Sequence, residues 1–162
     1  MKRIVLVVLA LLVASPVWAA QVSLKPYGQA HHFEDQDTAL GVGVDVEVRE
    51  VWQDALVYLG LEKVDSESGS LDTETLDLKA GVGYDIEVSE KVTVTPKVGY
   101  DAFFTDVEGG SSGNQDGFTL GSDVSLELAQ GIDLVGGVAH TWSEDDLDLD
   151  NWSIQGGLKI AL

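Results

Sequence analysis

The sequence predicts an all-β fold: an eight-stranded antiparallel up-and-down β-barrel that crosses a membrane with its strands, preceded by a cleavable signal peptide. Three observations predict it. Apolar residues recur at every second position through eight separate stretches, and a period of two marks strands with one oily face and one polar or small face. Beyond the first pair of strands, long and short connections alternate, as in a membrane barrel with tight turns on one rim and longer loops on the other. The chain also opens with an export signal.

That signal is read from Lys2 and Arg3, an unbroken apolar run from Ile4 to Ala14, and then Ser15, Pro16 and Val17-Trp18-Ala19, the three-part layout of a secretory leader with its cut after Ala19. Residues 1–19 are therefore assigned to the signal peptide and residues 20–162 to one barrel domain. No later stretch approaches the roughly 20 consecutive apolar residues that a spanning helix needs. There is no cysteine, hence neither a disulfide framework nor a lipid-acceptor thiol.

The strands follow in order. Val22 to Phe33 is the first, and its oily face (Val22, Leu24, Pro26, Gly28, Ala30) is thin. Thr38 to Glu50 alternates Leu40, Val42, Val44, Val46 and Val48 with Asp45, Glu47 and Arg49. Asp54 to Val64 sets Ala55, Val57, Leu59 and Leu61 against Leu56, Tyr58, Gly60 and Glu62. Leu76 to Val88, Val92 to Phe104, Phe118 to Ala129, Ile132 to Ser143 and Asn151 to Leu162 repeat the pattern with little noise. No 3.6-residue stripe competes with them. The connections are read as Glu34 to Asp37, Glu50 to Gln53, Lys63 to Asp72, Ser89 to Lys91, Thr105 to Gly117, Gln130-Gly131 and Glu144 to Asp150.

Alternation does not by itself say which face points outward. The polar parity gathers Lys25, Arg49, Lys79, Lys97 and Lys159 with Asp45, Glu47, Asp77, Asp85, Glu87, Asp101, Asp123, Glu127 and Asp133. Charges of both signs, interspersed with glycine, suit the interior of an eight-stranded barrel, which is just wide enough for side chains to fill. The oily parity is almost free of charge, as a lipid face must be, since a Lys or Arg at the bilayer midplane costs about 2 to 4 kcal/mol. Phe104, Phe118, Trp142 and Trp152 lie at strand ends beside long loops, with Trp52 and Tyr84 near the other rim; aromatic girdles of this kind mark the two membrane interfaces. The alternative is a soluble carrier with the oily face turned inward around an apolar ligand.

The last eight residues, Gln155 to Leu162, place a polar residue at Gln155, glycine at Gly157 and apolar residues at Ile160 and Leu162. This segment resembles the C-terminal assembly signal of outer-membrane β-barrels, although it ends in Leu where bacterial members usually end in an aromatic. With the strand count, the chain looks like a small barrel of the OmpX and OmpA-transmembrane-domain type. The resemblance implies residence in the outer membrane of a Gram-negative-type bacterium, a plugged polar interior, contact with outer-membrane lipid and lipopolysaccharide, a monomeric state, and roles in envelope integrity, adhesion or host interaction. A narrow channel for small solutes is the other membrane reading.

Charge limits the function further. Loss of residues 1–19 removes Lys2 and Arg3, leaving 7 Lys+Arg against 28 Asp+Glu and a formal charge of −21. Such a chain does not bind nucleic acid, whose phosphates require Lys and Arg. The loops assigned to the outer rim hold Glu34, Asp35 and Asp37; Asp65, Glu67 and Asp72; Asp106, Glu108 and Asp116; and Glu144, Asp145, Asp146, Asp148 and Asp150. Clustered carboxylates can take divalent cations, but Asn151 and Gly157 stand where an EF-hand would need Gly and a bidentate Glu. A solvated acidic rim is the default, and no metal ligand is assigned. His140 and Ser143 are three apart and fall on opposite faces of a strand, as do the adjacent His31 and His32. These two histidines are read as marking the outer end of the first strand. Tyr27, Lys97 and Asp101 are read as part of an interior ion-pair network. No residue is assigned a catalytic or cofactor role, and no enzyme activity is expected.

Overall fold

The computed structural model describes residues 21–33, 38–68, 71–107, 113–143 and 150–162. The leader assigned to residues 1–19 lies outside the described residues, as do Glu34, Asp35, Asp37, Glu108, Glu144, Asp145, Asp146 and Asp148 and the side chains of Glu67, Asp72 and Asp106. The strands are β1 (Gln21–Phe33), β2 (Ala39–Trp52), β3 (Ala55–Ser68), β4 (Leu71–Tyr84), β5 (Ile86–Ser89), β6 (Val92–Val107), β7 (Gly113–Ala129), β8 (Ile132–Ser143) and β9 (Asn151–Ala161). β4 and β5 are two parts of one stave, interrupted only at Asp85, whose backbone N–H still donates to the Asp54 carbonyl at 2.9 Å in the register of β3 with β4. The architecture is thus eight staves, as the alternation predicts.

The staves run antiparallel in the order β4-β3-β2-β1-β9-β8-β7-β6-β5, and pairing of β4 with β6 closes the ring. β1 and β9 meet in register, with Gly28 opposite Gly156 and Leu24 opposite Ile160; the apolar C-terminal segment is thereby paired on both sides. Closure removes the free edges that would otherwise recruit other strands.

The oily parity points outward. Leu40, Val42, Val124, Leu134, Val138 and Ile154 are all exposed, Leu40 to 67%. The polar parity points into the lumen, where Lys25, Glu47, Glu62, Asp77, Thr95, Asp101 and Asp123 are buried. This inverts a soluble protein and rules out the soluble carrier reading, which needs an apolar hollow. Two charges depart from expectation: Glu87 and Glu127 are exposed. They sit at the rim where β5–β6 and β7–β8 carry register shifts at Glu87/Ser89 and Glu127/Ala129, and bulges at barrel rims re-aim side chains in this way.

The predicted long loops are also shortened. β3 continues to Ser68 and β4 begins at Leu71, so most of the segment from Lys63 to Asp72 is ladder. β6 and β7 likewise extend to Val107 and back to Gly113. Above the membrane both faces of a strand meet water, so hydrophobic alternation fades while backbone pairing persists. At the opposite rim the turns are tight, and Gly131 takes a φ of 77°, a left-handed conformation that glycine adopts without steric cost.

Candidate functional site

The buried charged side chains of this chain are gathered in the lumen. Alternation delivers them: each stave turns every second side chain inward, and eight staves bring acids and bases from distant parts of the sequence together. Lys25 on β1 lies 2.7 Å from Asp45 Oδ2 on β2 and 3.0 Å from Asp123 Oδ2 on β7. Lys97 on β6 lies 2.7 Å from both Glu47 Oε1 and Asp123 Oδ2. Two ammoniums and three carboxylates therefore link opposite walls. Toward the short-turn rim, Arg49 pairs with Glu47 at 2.7 Å and with Asp85, and Lys159 pairs with Asp133.

A second cluster occupies the outer half. Glu62, with no exposed surface, is bonded to Lys79 and lies 2.9 Å from His31 Nε2, while His31 Nδ1 is 3.3 Å from Asn151 Oδ1. Lys79 also donates to Gln29 at 3.2 Å and stands 3.4 Å from Asp77. Neither carboxylate oxygen of Asp77 has a hydrogen-bond partner, and Asp101 Oδ1 also lacks one. The other oxygen of Asp101 accepts from Thr119 and Thr141.

Two tyrosines separate the clusters. The Tyr27 ring has Lys25 at 5.3 Å on one side and Lys79 at 5.6 Å on the other, and the Tyr58 ring has Lys97 at 4.9 Å, contacts in the cation–π range. Gly81 and Gly99 make room for Tyr58: a Cβ built on Gly81 would stand 2.6 Å from the ring, and one on Gly99 would collide with its hydroxyl. Beside these rings lies a cavity of about 50 Å³, lined in part by Tyr27, Tyr58, Asp77, Lys79 and Asp101, room for a few waters.

Tyr27, Lys97 and Asp101, singled out from the sequence, thus line one cavity but belong to separate clusters, and Tyr27 reaches Glu62 at 3.5 Å. His31 proves to be a buried member of the outer cluster rather than only a marker of the strand end; its odd position, on the lumen parity of β1, is the signal that points there. His140 lies outside, with its ring centroid 4.3 Å from that of Trp142 and 4.5 Å from that of Trp152, whereas Ser143 is on the lumen parity. Phe118 and Trp142 stack at 6.1 Å, and Trp52 and Tyr84 are exposed at the other rim, so both expected aromatic girdles form. Of the predicted acidic loop residues, Asp65 lies 3.3 Å from Lys63, and Asp150 accepts from the Ser143 N–H at 3.0 Å. Among the described residues no group of three or more metal-ligating side chains converges.

The model of the outer membrane protein beta-barrel domain family matches residues 5–159. The chain belongs to that family. Solved structures agree on the fold. Neisserial surface protein A superposes with a TM-score of 0.68 at 14% identity, covering 87% of this chain and 96% of that one. OprG from Pseudomonas aeruginosa gives 0.66 at 11% identity, covering 89% and 96%. Ail, the attachment invasion locus protein of Yersinia pestis, gives 0.60 at 10% identity, covering 88% and 97%. A search of the curated proteins by sequence finds no match. Family membership and the outward oily face together make this a small integral outer-membrane barrel of the OmpX type, resident in the outer membrane of a Gram-negative-type bacterium.

Proposed function

We propose that this barrel is a non-conducting scaffold of the outer membrane that carries acidic loops on the cell surface, serving envelope integrity or surface contact rather than catalysis or bulk transport. The carrying observation is the set of ion pairs that join β1 and β2 to β6 and β7 across the lumen, with Lys25, Asp45, Glu47, Lys97 and Asp123 all buried. Ions confined there hold one another in place, because moving one leaves a partner uncompensated in a low-dielectric interior. The cavity lined by both clusters is about 50 Å³, room for a few waters. Outward, the reading takes outer-membrane lipid and lipopolysaccharide as the partners of the apolar band and its girdles. The acidic loops repel anions and attract divalent cations of that surface, and the barrel acts as a monomer.

Planar-bilayer recording of the refolded protein tests this. Silence, or rare brief openings, is expected; a stable open level that scales with salt would establish instead a narrow channel. That second reading draws on the outer cluster, where the unpartnered oxygens of Asp77 and Asp101 would favour small cations.

A further inference from the structure

We propose that the short-turn mouth of the barrel is a binding site for the carboxylate end of a peptide. A pocket of about 200 Å³ opens there between β1, β2, β8 and β9, lined by Val22, Ser23, Arg49, Asp133, Lys159 and Ala161 among others. In outer-membrane barrels this rim faces the periplasm. The lining carries two cations and one carboxylate, the reverse of a chain with 9 Lys+Arg and 28 Asp+Glu.

The hydrogen-bond pattern sets the ligand class. Arg49 uses Nη1 on Asp85 and Nη2 on Glu47, both outside the lining, while Lys159 is held by Asp133 and by Ser125 Oγ at 3.3 Å. Two buried polar atoms on the lining have no partner: Arg49 Nε and the hydroxyl of Ser23, a residue 2% exposed. Both can donate, and Nε–H can only donate. Both cations are already paired with carboxylates, so the two free donors themselves set the ligand: they call for an oxygen acceptor, and a carboxylate matches the planar Arg edge. Ala161, on the lumen parity beside Lys159, adds a small apolar surface suited to a short alkyl side chain such as that of alanine. The phosphate alternative carries more charge and would face Asp133. The site is independent of whether the lumen conducts.

The test uses isotope-labelled barrel refolded in lipid nanodiscs and titrated with N-acetyl-alanyl-alanine, in L,L and D,D forms, by amide chemical shift. Saturable shifts confined to Val22, Ser23, Arg49, Gly131 and Lys159 are expected from at least one form; a preference for D,D would point to cell-wall peptides and one for L,L to protein C-termini, and either sustains the site. Ser23→Ala should weaken binding about fivefold and Arg49→Gln about tenfold or more, while Lys63→Gln on the opposite rim leaves it unchanged. Ser23→Ala removes a hydroxyl that has no protein partner, so it reads binding and not folding. Equal shifts with the carboxamide analogue, stronger binding of inorganic phosphate, unchanged affinity in Ser23→Ala, or no saturable shift at all would overturn the proposal.

Discussion

The two halves of the lumen are built from the same residue types yet are wired differently. Toward the periplasm, Lys25 and Lys97 share Asp45, Glu47 and Asp123, and every one of these charges has an opposite partner within 3.0 Å. Toward the outside, Lys79 alone serves Glu62 and Asp77, His31 supports Glu62, and Asp77 keeps both oxygens without a hydrogen bond. The inner half is a tie between opposite walls; the outer half is a surplus of carboxylates around one ammonium. A buried ion pair is seldom worth much more than the apolar residues it replaces, but removing one partner is severe. The consequences of mutation should therefore differ sharply between the halves.

The largest effect is expected at the inner tie. Lys97→Met takes one cation from each of Glu47 and Asp123, which keep only Arg49 and Lys25 as close partners, and should destabilise the barrel by about 3 kcal/mol, read from urea unfolding in lipid vesicles. Asp123→Asn should fall in the same range, whereas Asp77→Asn in the outer half, which removes a carboxylate without hydrogen bonds, should change stability by no more than about 1 kcal/mol. Equal losses at Asp123 and Asp77 would erase the distinction. Next comes the lipid face: Val124→Arg, on the outward parity, should cost about 2 to 4 kcal/mol in a bilayer, and a smaller penalty in a short-chain detergent would sharpen the claim that lipid is what it meets. Gly99→Ala pushes into Tyr58 between the two clusters and should cost about 1 to 3 kcal/mol, with Gly99→Ala/Tyr58→Phe recovering part of it. The smallest effect belongs to the exposed pair of Lys63 and Glu74, 2.8 Å apart: Lys63→Gln should leave the unfolding midpoint unmoved, since exposed pairs contribute little.

The staves were legible because a lipid-spanning strand must keep strict alternation. Val92 to Phe104 and Ile132 to Ser143 show it best, since one face meets hydrocarbon and the other a packed polar core. The sequence understates β3, β4, β6 and β7 at their outer ends, as with Val64 to Ser68 and Leu71 to Thr75, where no hydrocarbon enforces a pattern and only the backbone ladder continues. Nor does it mark the break at Asp85, on either side of which the pairing with β6 keeps one register. Parity placed Lys25 and Asp123 on one interior surface but not in one cluster. They are 98 residues apart, and their meeting follows from closure and register, which composition does not encode. His31 was hidden for the same reason, as its partners Glu62 and Asn151 come from β3 and β9.

A double-mutant cycle on Lys25 and Asp123 tests the cross-lumen tie most directly, because the pair joins β1 to β7 at 3.0 Å through the interior. Lys25→Met, Asp123→Leu and the double variant, unfolded in the same lipid, should give a favourable coupling free energy of at least about 1 kcal/mol. Strictly additive losses would mean that the two walls are not energetically joined, and the closed lumen would lose its physical basis.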